Sequence, residues 1–338
     1  MEVFGMIGDT SPVATMGSKK SEDHIPAAIT DIGCEREINE DRYAVIDSPA
    51  GRAWIVCDGM GGALGGELAA QLAIDSMRRA LDSRDFEDGA DALSSAIDEA
   101  NRIIVLRRQN PVFSSMGTTV VAALICDDEI FISHAGDSRA YIVRDGEIQQ
   151  LTVDHTYVQD LVDKGAITAE DALSHPQAHV LTKCLGADPR LELTNSKYWV
   201  WGVSGGEPKD KLLLCSDGLY SLVSETEIAS AVSTNSPQEA CVQLVELAKE
   251  RGGFDNITLA ILPLEGQLHE ESAGGGAKAG KKGASRGKRK STVAPNTRSA
   301  SLNLPQFSLA QKAFLMVASS ALGVLLTSLV MYWKVVSQ

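Results

Sequence analysis

The chain of 338 residues is 44% hydrophobic and 22% charged, which is ordinary for a globular protein with a buried core. Its formal net charge of −14 is unevenly distributed: residues 266–338 carry ten Lys and Arg against two Glu, which leaves −22 on residues 1–265. Such an acidic body disfavours nucleic acid as a partner, since phosphate binding needs Lys and Arg, and it suits a protein whose carboxylates hold cations.

Hydrophobic periodicity predicts a fold of the α+β class. Short apolar runs predict strands at residues 43–47, 53–57, 118–126, 129–134, 139–143, 211–215 and 256–262. Helical patterns cover residues 67–81, 91–108, 157–164, 225–232 and 237–251. The third and fourth strands, separated only by Asp127 and Asp128, form a predicted hairpin. Because the strands bunch between long helices, we expect α+β layering and not a doubly wound parallel sheet.

The cysteines indicate a reducing compartment. They are Cys34, Cys57, Cys126, Cys184, Cys215 and Cys241. No two of them form a C-x-x-C pair, and several lie in apolar runs. We therefore expect buried free thiols and neither a disulfide framework nor a zinc site.

Composition divides the chain into five segments. Residues 1–24 are polar without a sustained period and predict a flexible leader, and residues 25–265 predict the folded domain. Residues 266–312 are rich in Gly, Ala, Ser and Lys and predict a disordered linker. Residues 313–333 contain no charge, and at about 1.5 Å per residue they reach roughly 32 Å, which is enough for a transmembrane helix. Residues 334–338 form a short tail.

The charges that flank this predicted span give its orientation. A basic cluster precedes it, at Lys281, Lys282, Arg286, Lys288, Arg289 and Lys290, and only Lys334 follows it. The positive-inside rule predicts a single-pass protein of the inner (cytoplasmic) membrane, with the folded domain in the cytoplasm. The linker itself is either a contact for anionic lipid head groups or a solubilising spacer.

The acidic residues that carry most information are far apart in the sequence, each in a recognisable local frame. Asp58 and Asp217 each end an apolar strand and begin a glycine-containing turn, and Asp255 just precedes the last predicted strand. Carboxylates gathered by a fold repel one another unless a cation neutralises them, and hard divalent ions prefer such oxygen ligands. Each frame alone is more often an ordinary turn, so the prediction depends on their combination.

In these frames the chain resembles the metal-dependent protein phosphatases, the type 2C or PPM Ser/Thr phosphatases, in their bacterial form. The resemblance covers roughly residues 25–264 and rests on seven motifs in the family's order. They are Arg36-Glu37-Ile38-Asn39-Glu40-Asp41, Asp58-Gly59-Met60-Gly61-Gly62, Met116-Gly117-Thr118-Thr119, Gly136-Asp137-Ser138-Arg139, Leu181-Thr182-Lys183-Cys184-Leu185-Gly186, Ser216-Asp217-Gly218-Leu219 and Asp255-Asn256-Ile257-Thr258.

The resemblance implies a sandwich of two antiparallel sheets flanked by helices, with two Mn²⁺ or Mg²⁺ ions at one end. It implies that Asp41 and Asp58 lie at the metal pair, with Asp58 bridging, that the Gly59 carbonyl completes the shell of one ion, and that Asp217 and Asp255 hold the other. Glu40 would act through water, Asp137 would join Asp217 in a third, weaker ion site, and Arg36 would hold the substrate phosphate. The implied reaction is hydrolysis of phosphoserine and phosphothreonine in proteins, substrates of a bacterial Ser/Thr kinase among them, by a metal-activated water.

One position departs from the pattern of the eukaryotic members. They carry a histidine after the Asp-Gly of the second motif, proposed as the general acid, and this chain carries Met60. We do not assign that role to His155, His175 or His179, and for His155 we expect a structural hydrogen bond. The segment 157–179 corresponds to the family's flap, which varies and shapes substrate choice.

Supporting roles are predicted for two further motifs. Arg139 is expected to form a structural ion pair. Gly117, Thr118 and Thr119 are expected to pack under the site without touching substrate.

Two other functions remain open from the sequence. One is a phosphoprotein-binding scaffold that keeps the fold without turnover, although retention of every carboxylate favours an enzyme. The other is a phosphatase of small molecules. The oligomeric state is not predicted by the sequence.

Overall fold

A computed structural model of the chain describes residues 24–61, 65–83, 86–202 and 209–270, apart from the side chain of Leu173. The strands are β1 (Ala27–Asp31), β2 (Arg42–Ser48), β3 (Gly51–Cys57), β4 (Gly59–Met60), β5 (Gly117–Thr118), β6 (Val120–Cys126), β7 (Glu129–Ala135), β8 (Arg139–Arg144), β9 (Glu147–Gln150), β10 (Thr194–Trp201), β11 (Lys211–Cys215), β12 (Ile257–Pro263) and β13 (Gln267–Glu270). The helices are α1 (Gly65–Ser83), α2 (Gly89–Arg107), α3 (Tyr157–Asp163), α4 (Ala169–Leu173), α5 (Asp217–Tyr220), α6 (Glu225–Thr234) and α7 (Pro237–Glu250). One turn of 3₁₀ helix spans Pro111–Phe113.

Two antiparallel sheets form the centre of the domain. The five-stranded sheet has the order β1-β12-β11-β8-β9, and the six-stranded sheet has the order β13-β10-β7-β6-β3-β2. A short ribbon of β4 and β5 lies beside them. Every pair of neighbouring strands is antiparallel.

Buried side chains fill three layers, which explains why the central strands are apolar on both faces. In β6, Val121 and Ala123 face the other sheet, whereas Val120, Ala122 and Leu124 face the helices α1 and α2. A third layer joins the outer face of the five-stranded sheet to α6 and α7. The two sheets therefore pack face to face, with helices on both outer sides, which confirms the predicted α+β sandwich.

The strands that the sequence did not predict lie at or near sheet edges. β1, β9 and β13 are outer strands of their sheets, and β10, the neighbour of β13, is mostly half-buried. Such strands lack the continuous apolar run that marks the central ones, so periodicity alone does not separate them from loops.

The predicted hairpin is confirmed. Cys126 pairs with Glu129, and Asp127 takes a φ of 51°. The hairpin of β8 and β9 has positive φ at both turn residues, Asp145 and Gly146, as a type I′ turn requires.

Four sequence predictions need correction. The strand predicted at 118–126 is broken at Thr119, because Thr119 bonds to Asp58. The linker predicted from residue 266 begins later, because Gln267–Glu270 pairs with β10 and buries Leu268. The second predicted helix begins earlier, at Gly89, because Asp88 caps it through the Asp91 amide. The cysteines are free as predicted, but Cys34 is exposed and Cys126 half-buried.

Several predictions fall on residues that the structure does not describe. They are the leader at 1–23, the remaining linker at 271–312, the span at 313–333 and the tail at 334–338. Within the described ranges, no helix has the length and apolarity that a membrane crossing requires.

Candidate metal centre and active site

Strand ends bring the predicted carboxylates to one edge of the sandwich. Arg42 pairs with Cys57, so Asp41 and Asp58, the next residues outward, are neighbours. On the other sheet Arg139 pairs with Cys215, which places Asp137 and Asp217 beyond the same end of that pair. Asp255 lies two residues before the start of β12, the strand next to β11.

Asp41 is 1% exposed and is held by hydroxyl groups. The Ser216 hydroxyl donates to Asp41 Oδ2 at 2.7 Å, and Ser216 Oγ in turn accepts from the Thr258 amide at 3.0 Å. Burial raises the pKa of Asp41 to about 7, and the charges of Asp217 and Asp255 add to this while the hydroxyls oppose it. The buried carboxylate therefore lies in a strongly negative environment.

The backbone of Asp58 is fixed by the ribbon behind it. Its amide donates to Thr119 Oγ1 at 2.9 Å, and its carbonyl accepts from the Thr119 amide at 2.8 Å and the Thr118 hydroxyl at 2.9 Å. Loss of hydration raises the pKa of Asp58 well above its ordinary value, and Asp41, Asp217, Asp137 and Asp255 raise it further, in that order. These bonds confirm the predicted supporting position of Thr118 and Thr119.

Asp217 has an oxygen without a partner. Its Oδ1 is buried and accepts no hydrogen bond, and it is the only such side-chain atom found among the described residues. His179 Nδ1 lies 3.6 Å from the other oxygen, on a side chain that is 73% exposed. A buried carboxylate oxygen left unsatisfied costs about 1–3 kcal/mol or more, so the site favours a ligand at this atom.

Asp255 and Arg36 form an ion pair at the rim. Arg36 Nη2 donates to Asp255 Oδ2 at 2.8 Å, and the Asn256 amide donates to Asp255 Oδ1 at 2.8 Å. Burial and the charge of Asp217 raise the pKa of Asp255, and Arg36 lowers it by a smaller amount. Both Asp255 oxygens therefore have protein partners, in contrast to Asp217.

Asp137 faces the same cluster. It is 5% exposed, and burial, followed by the charges of Asp217 and Asp154, raises its pKa to about 7. The Tyr220 hydroxyl donates to the Asp137 carbonyl at 2.9 Å. Asp217 begins and Tyr220 ends the single turn α5. The bond therefore fixes the backbone of Asp137 relative to the turn that carries Asp217.

Glu40 and Gly59 lie against the first turn of α1. The Glu40 carboxylate accepts from the amides of Gly66 and Glu67, at the positive end of the helix dipole, while burial raises its pKa. Gly59 and Gly66 touch along their backbones, and a Cβ on Gly66 would overlap the Glu40 carboxylate. Glu40 is thus turned toward the helix, at the margin of the cluster.

Asn256 holds the loop at this edge of the sandwich. Its motif was recognised in the sequence, but no role was predicted for this residue. Asn256 is 4% exposed. Its Nδ2 donates to the carbonyls of Ile32 and Ile38 at 2.9 and 3.1 Å, and its Oδ1 accepts from the Glu40 amide at 2.8 Å. One side chain therefore fixes the loop that carries Arg36, Glu40 and the approach to Asp41. Ser216 and Tyr220 were equally unassigned, and Gly66 had no signal in the sequence.

The remaining sequence predictions concern structural residues. Arg139 forms an ion pair with Asp154 at 2.7 Å. Its guanidinium also lies 3.7 Å from the centre of the Tyr220 ring. His155 accepts at Nδ1 from the Gly136 amide at 3.2 Å and bonds through Nε2 to the Thr194 hydroxyl at 2.9 Å. Burial lowers the pKa of His155 to about 4. The structural roles predicted for Arg139 and His155 are confirmed.

The donor set fits hard divalent ions. The chain places five aspartates together, raises the pKa of four of them, and leaves one buried oxygen free. In the described ranges, no three His, Cys, Asp or Glu side chains are already closed around a point that could hold an ion. Mg²⁺ is bound through one or two carboxylates and keeps several waters, so an open set of this kind is compatible with it.

Comparisons with known proteins agree with this chemistry. The sequence profile of the protein phosphatase 2C family matches residues 35–247. The serine/threonine protein phosphatase PstP of Mycobacterium tuberculosis is 37% identical over 240 residues, a match that spans 70% of this chain and 44% of PstP. A putative protein phosphatase 2C-type of Streptococcus pyogenes is 35% identical over 248 residues, which span 72% of this chain and 96% of that protein.

A solved structure adds the cofactor. The catalytic domain of PstP in complex with two manganese ions aligns with a TM-score of 0.59 at 35% identity, over 70% of this chain and 96% of that one. Both the fold and the manganese pair agree with what the aspartate cluster implies. The chain belongs to the protein phosphatase 2C family, whose members use Mn²⁺ or Mg²⁺.

Proposed function

We propose that this protein is a metal-dependent phosphatase that hydrolyses phosphoserine and phosphothreonine in protein substrates. The observation that carries the proposal is the buried aspartate cluster, in which Asp217 Oδ1 has no partner and its neighbours have raised pKa values. A cluster of this kind destabilises the fold on its own, and a divalent cation offsets that cost. The names of the relatives support a protein phosphatase.

In this proposal Asp41 and Asp58 would lie at the cation pair, the Gly59 carbonyl would complete the shell of one ion, and Asp217 and Asp255 would hold the other. When bound, such cations lower the pKa of a coordinated water and neutralise charge on the transferring phosphoryl group. Asp137 provides a further carboxylate next to Asp217 for a third, weaker ion.

The protein's own groups orient the substrate. The Arg36 guanidinium is 47% exposed at the rim and offers paired N–H donors to a phosphate. Ser216 and Thr258 keep Asp41 fixed, and Asn256 keeps the Arg36 loop fixed, so the cluster is built before substrate arrives. Met60 occupies the position at which eukaryotic members carry a histidine. Its side chain has no proton to donate to the departing serine or threonine alkoxide.

The test is hydrolysis of a phosphothreonine peptide by the full chain in detergent, first with EDTA and then with Mn²⁺ or Mg²⁺ restored. The proposal predicts turnover that requires the metal and disappears in Asp217→Asn, with the exposed-loop variant Asp128→Asn as matched control. Hydrolysis of free metabolite phosphates with no hydrolysis of the peptide would favour a small-molecule phosphatase. A folded, metal-binding protein without turnover on either would favour a phosphoprotein-binding scaffold.

The proposal includes attachment to the inner membrane through residues 313–333, with the phosphatase domain in the cytoplasm. Its support is the uncharged 21-residue run and the basic cluster that precedes it. Such an anchor would keep the enzyme beside membrane-associated phosphoproteins, including the substrates of a Ser/Thr kinase. Carbonate extraction of membranes tests this: the intact chain should stay with the pellet, and Leu325→Arg with Leu326→Arg should release it.

A further inference from the structure

Arg36 occupies a carboxylate that the proposed function requires for a cation. Its Nη2 lies 2.8 Å from Asp255 Oδ2, and the other Asp255 oxygen accepts from the Asn256 amide. Asp217, in the same cluster, has a buried oxygen with no partner. The two carboxylates are therefore not equivalent: Asp217 has an oxygen without a partner, and Asp255 is paired with a guanidinium.

The backbone around Arg36 is anchored, so the side chain can leave Asp255 without moving the loop. The Cys34 amide donates to the Gly253 carbonyl at 2.7 Å on one side of Arg36. On the other side, Asn256 Nδ2 donates to the Ile38 carbonyl at 3.1 Å. Releasing the guanidinium therefore requires only rotations of an exposed side chain.

We propose that Arg36 is a latch on Asp255 that a divalent cation opens, which makes the phosphate-binding guanidinium more available when the centre is loaded. A cation and a guanidinium compete for the same oxygen, since both need its lone pairs and both carry positive charge. This inference rests on the proposed function, and it adds a preferred order of binding, in which the metal precedes the phosphate.

The exposure of the ion pair between Arg36 and Asp255 sets the expected size of its effect on Mg²⁺ binding. The pair is 47% exposed on Arg36 and 28% exposed on Asp255, and pairs of this kind contribute about 0.2–1 kcal/mol. Removing the guanidinium should thus tighten Mg²⁺ binding by about 1.4- to fivefold. A residue that instead supported Asp255 as a ligand would do the opposite, because its loss would weaken Mg²⁺ binding.

The experiment measures Mg²⁺ binding to the metal-free full chain in detergent by calorimetry, without substrate. Arg36→Ala and the better size-matched Arg36→Gln are compared with Arg102→Ala. Arg102 forms an ion pair with Glu99 of similar exposure, 57% and 27%, on the surface of α2. In parallel, the arginine side-chain NMR signals of the wild type are followed during the Mg²⁺ titration.

The proposal predicts tighter Mg²⁺ binding in both Arg36 variants, no change in Arg102→Ala, and loss of the restricted rotation of the Arg36 guanidinium as Mg²⁺ saturates. Unchanged or weaker binding in the Arg36 variants, or a guanidinium that stays paired at saturation, overturns it. If the Arg36 variants give that contrary result while Arg102→Ala still hydrolyses phosphopeptide, the latch is ruled out and the proposed function stands. Failure of the wild type to bind any Mg²⁺ removes the latch and the proposed function together.

Discussion

Replacing Asp137 by asparagine should stabilise the metal-free protein, because it removes a charge that burial and, to a smaller extent, the neighbouring carboxylates disfavour. The pKa of Asp137 is raised from 3.8 to about 7, and the side chain is 5% exposed. A shift of about three units corresponds to an upper limit of about 4 kcal/mol in the free energy of unfolding at high pH. Relaxation and water entry reduce this, so we expect about 1–3 kcal/mol, or about 2–10 °C in Tm.

The dependence on pH has a defined sign. A carboxyl whose pKa is raised by folding binds its proton more tightly in the folded state than in the unfolded one. The metal-free wild type therefore loses stability as the pH rises from about 3.8 to about 7, and the loss then levels off. The advantage of Asp137→Asn should be greatest near pH 8 and less than half as large at about pH 5.

The assay is thermal unfolding of the full chain in EDTA, followed by tryptophan fluorescence, at both pH values. Asp128→Asn, an exposed carboxylate in the hairpin turn, is the control and should change Tm little. Adding Mn²⁺ should raise the Tm of the wild type more than that of Asp137→Asn, because a ligand that binds only the folded state stabilises it. A variant that is no more stable than the wild type at the higher pH would refute the reasoning.

Three further substitutions test how the cluster is held. Asn256→Asp keeps the acceptor for the Glu40 amide but loses the donor to the Ile32 and Ile38 carbonyls, so it should lower the free energy of unfolding by about 2 kcal/mol and weaken Mn²⁺ binding, both measurable by calorimetry; unaltered Mn²⁺ binding would contradict its positioning role. Tyr220→Phe keeps the ring beside Arg139 and loses only the bond to the Asp137 carbonyl, so urea unfolding should show a loss of about 1 kcal/mol; no loss would mean that this bond does not hold α5. Gly66→Ala places a methyl group against the Glu40 carboxylate and should cost about 1–3 kcal/mol in thermal unfolding, whereas Gly202→Ala, where nothing lies within 4 Å, should not; equal stability of the two would contradict the close packing at Gly59.

Much of the fold could be predicted from the sequence because the central strands carry their own signal. A strand such as β6, buried on both faces, reads as a continuous apolar run, and helices α6 and α7 begin at capping boxes of Ser224 with Glu227 and Ser236 with Glu239. Edge strands such as β13 have no comparable signal, because their stability comes from pairing and from one buried side chain, Leu268.

The site, like the fold, has a part that could be predicted from the sequence and a part that could not. The aspartates were recognisable because each lies in a short local frame after a strand or in a turn. The ties between them were not, because they join residues far apart in sequence: Asn256 to Ile38, Ser216 to Asp41, and Tyr220 to Asp137. The partnership of Arg36 with Asp255 spans 219 positions and depends on how the loop folds back. A sequence motif identifies a candidate metal ligand, but the structure is needed to show which other residues that ligand contacts.

The account depends most on the claim that the aspartate cluster binds a pair of divalent ions. The most direct test is a crystal of the protein soaked in Mn²⁺, examined by anomalous scattering at the manganese edge. The account predicts two strong peaks between Asp58 and its neighbours, one of them in contact with Asp217 Oδ1, and loss of that peak in Asp217→Asn. Peaks only at surface carboxylates, or an unaltered pair in Asp217→Asn, would contradict it.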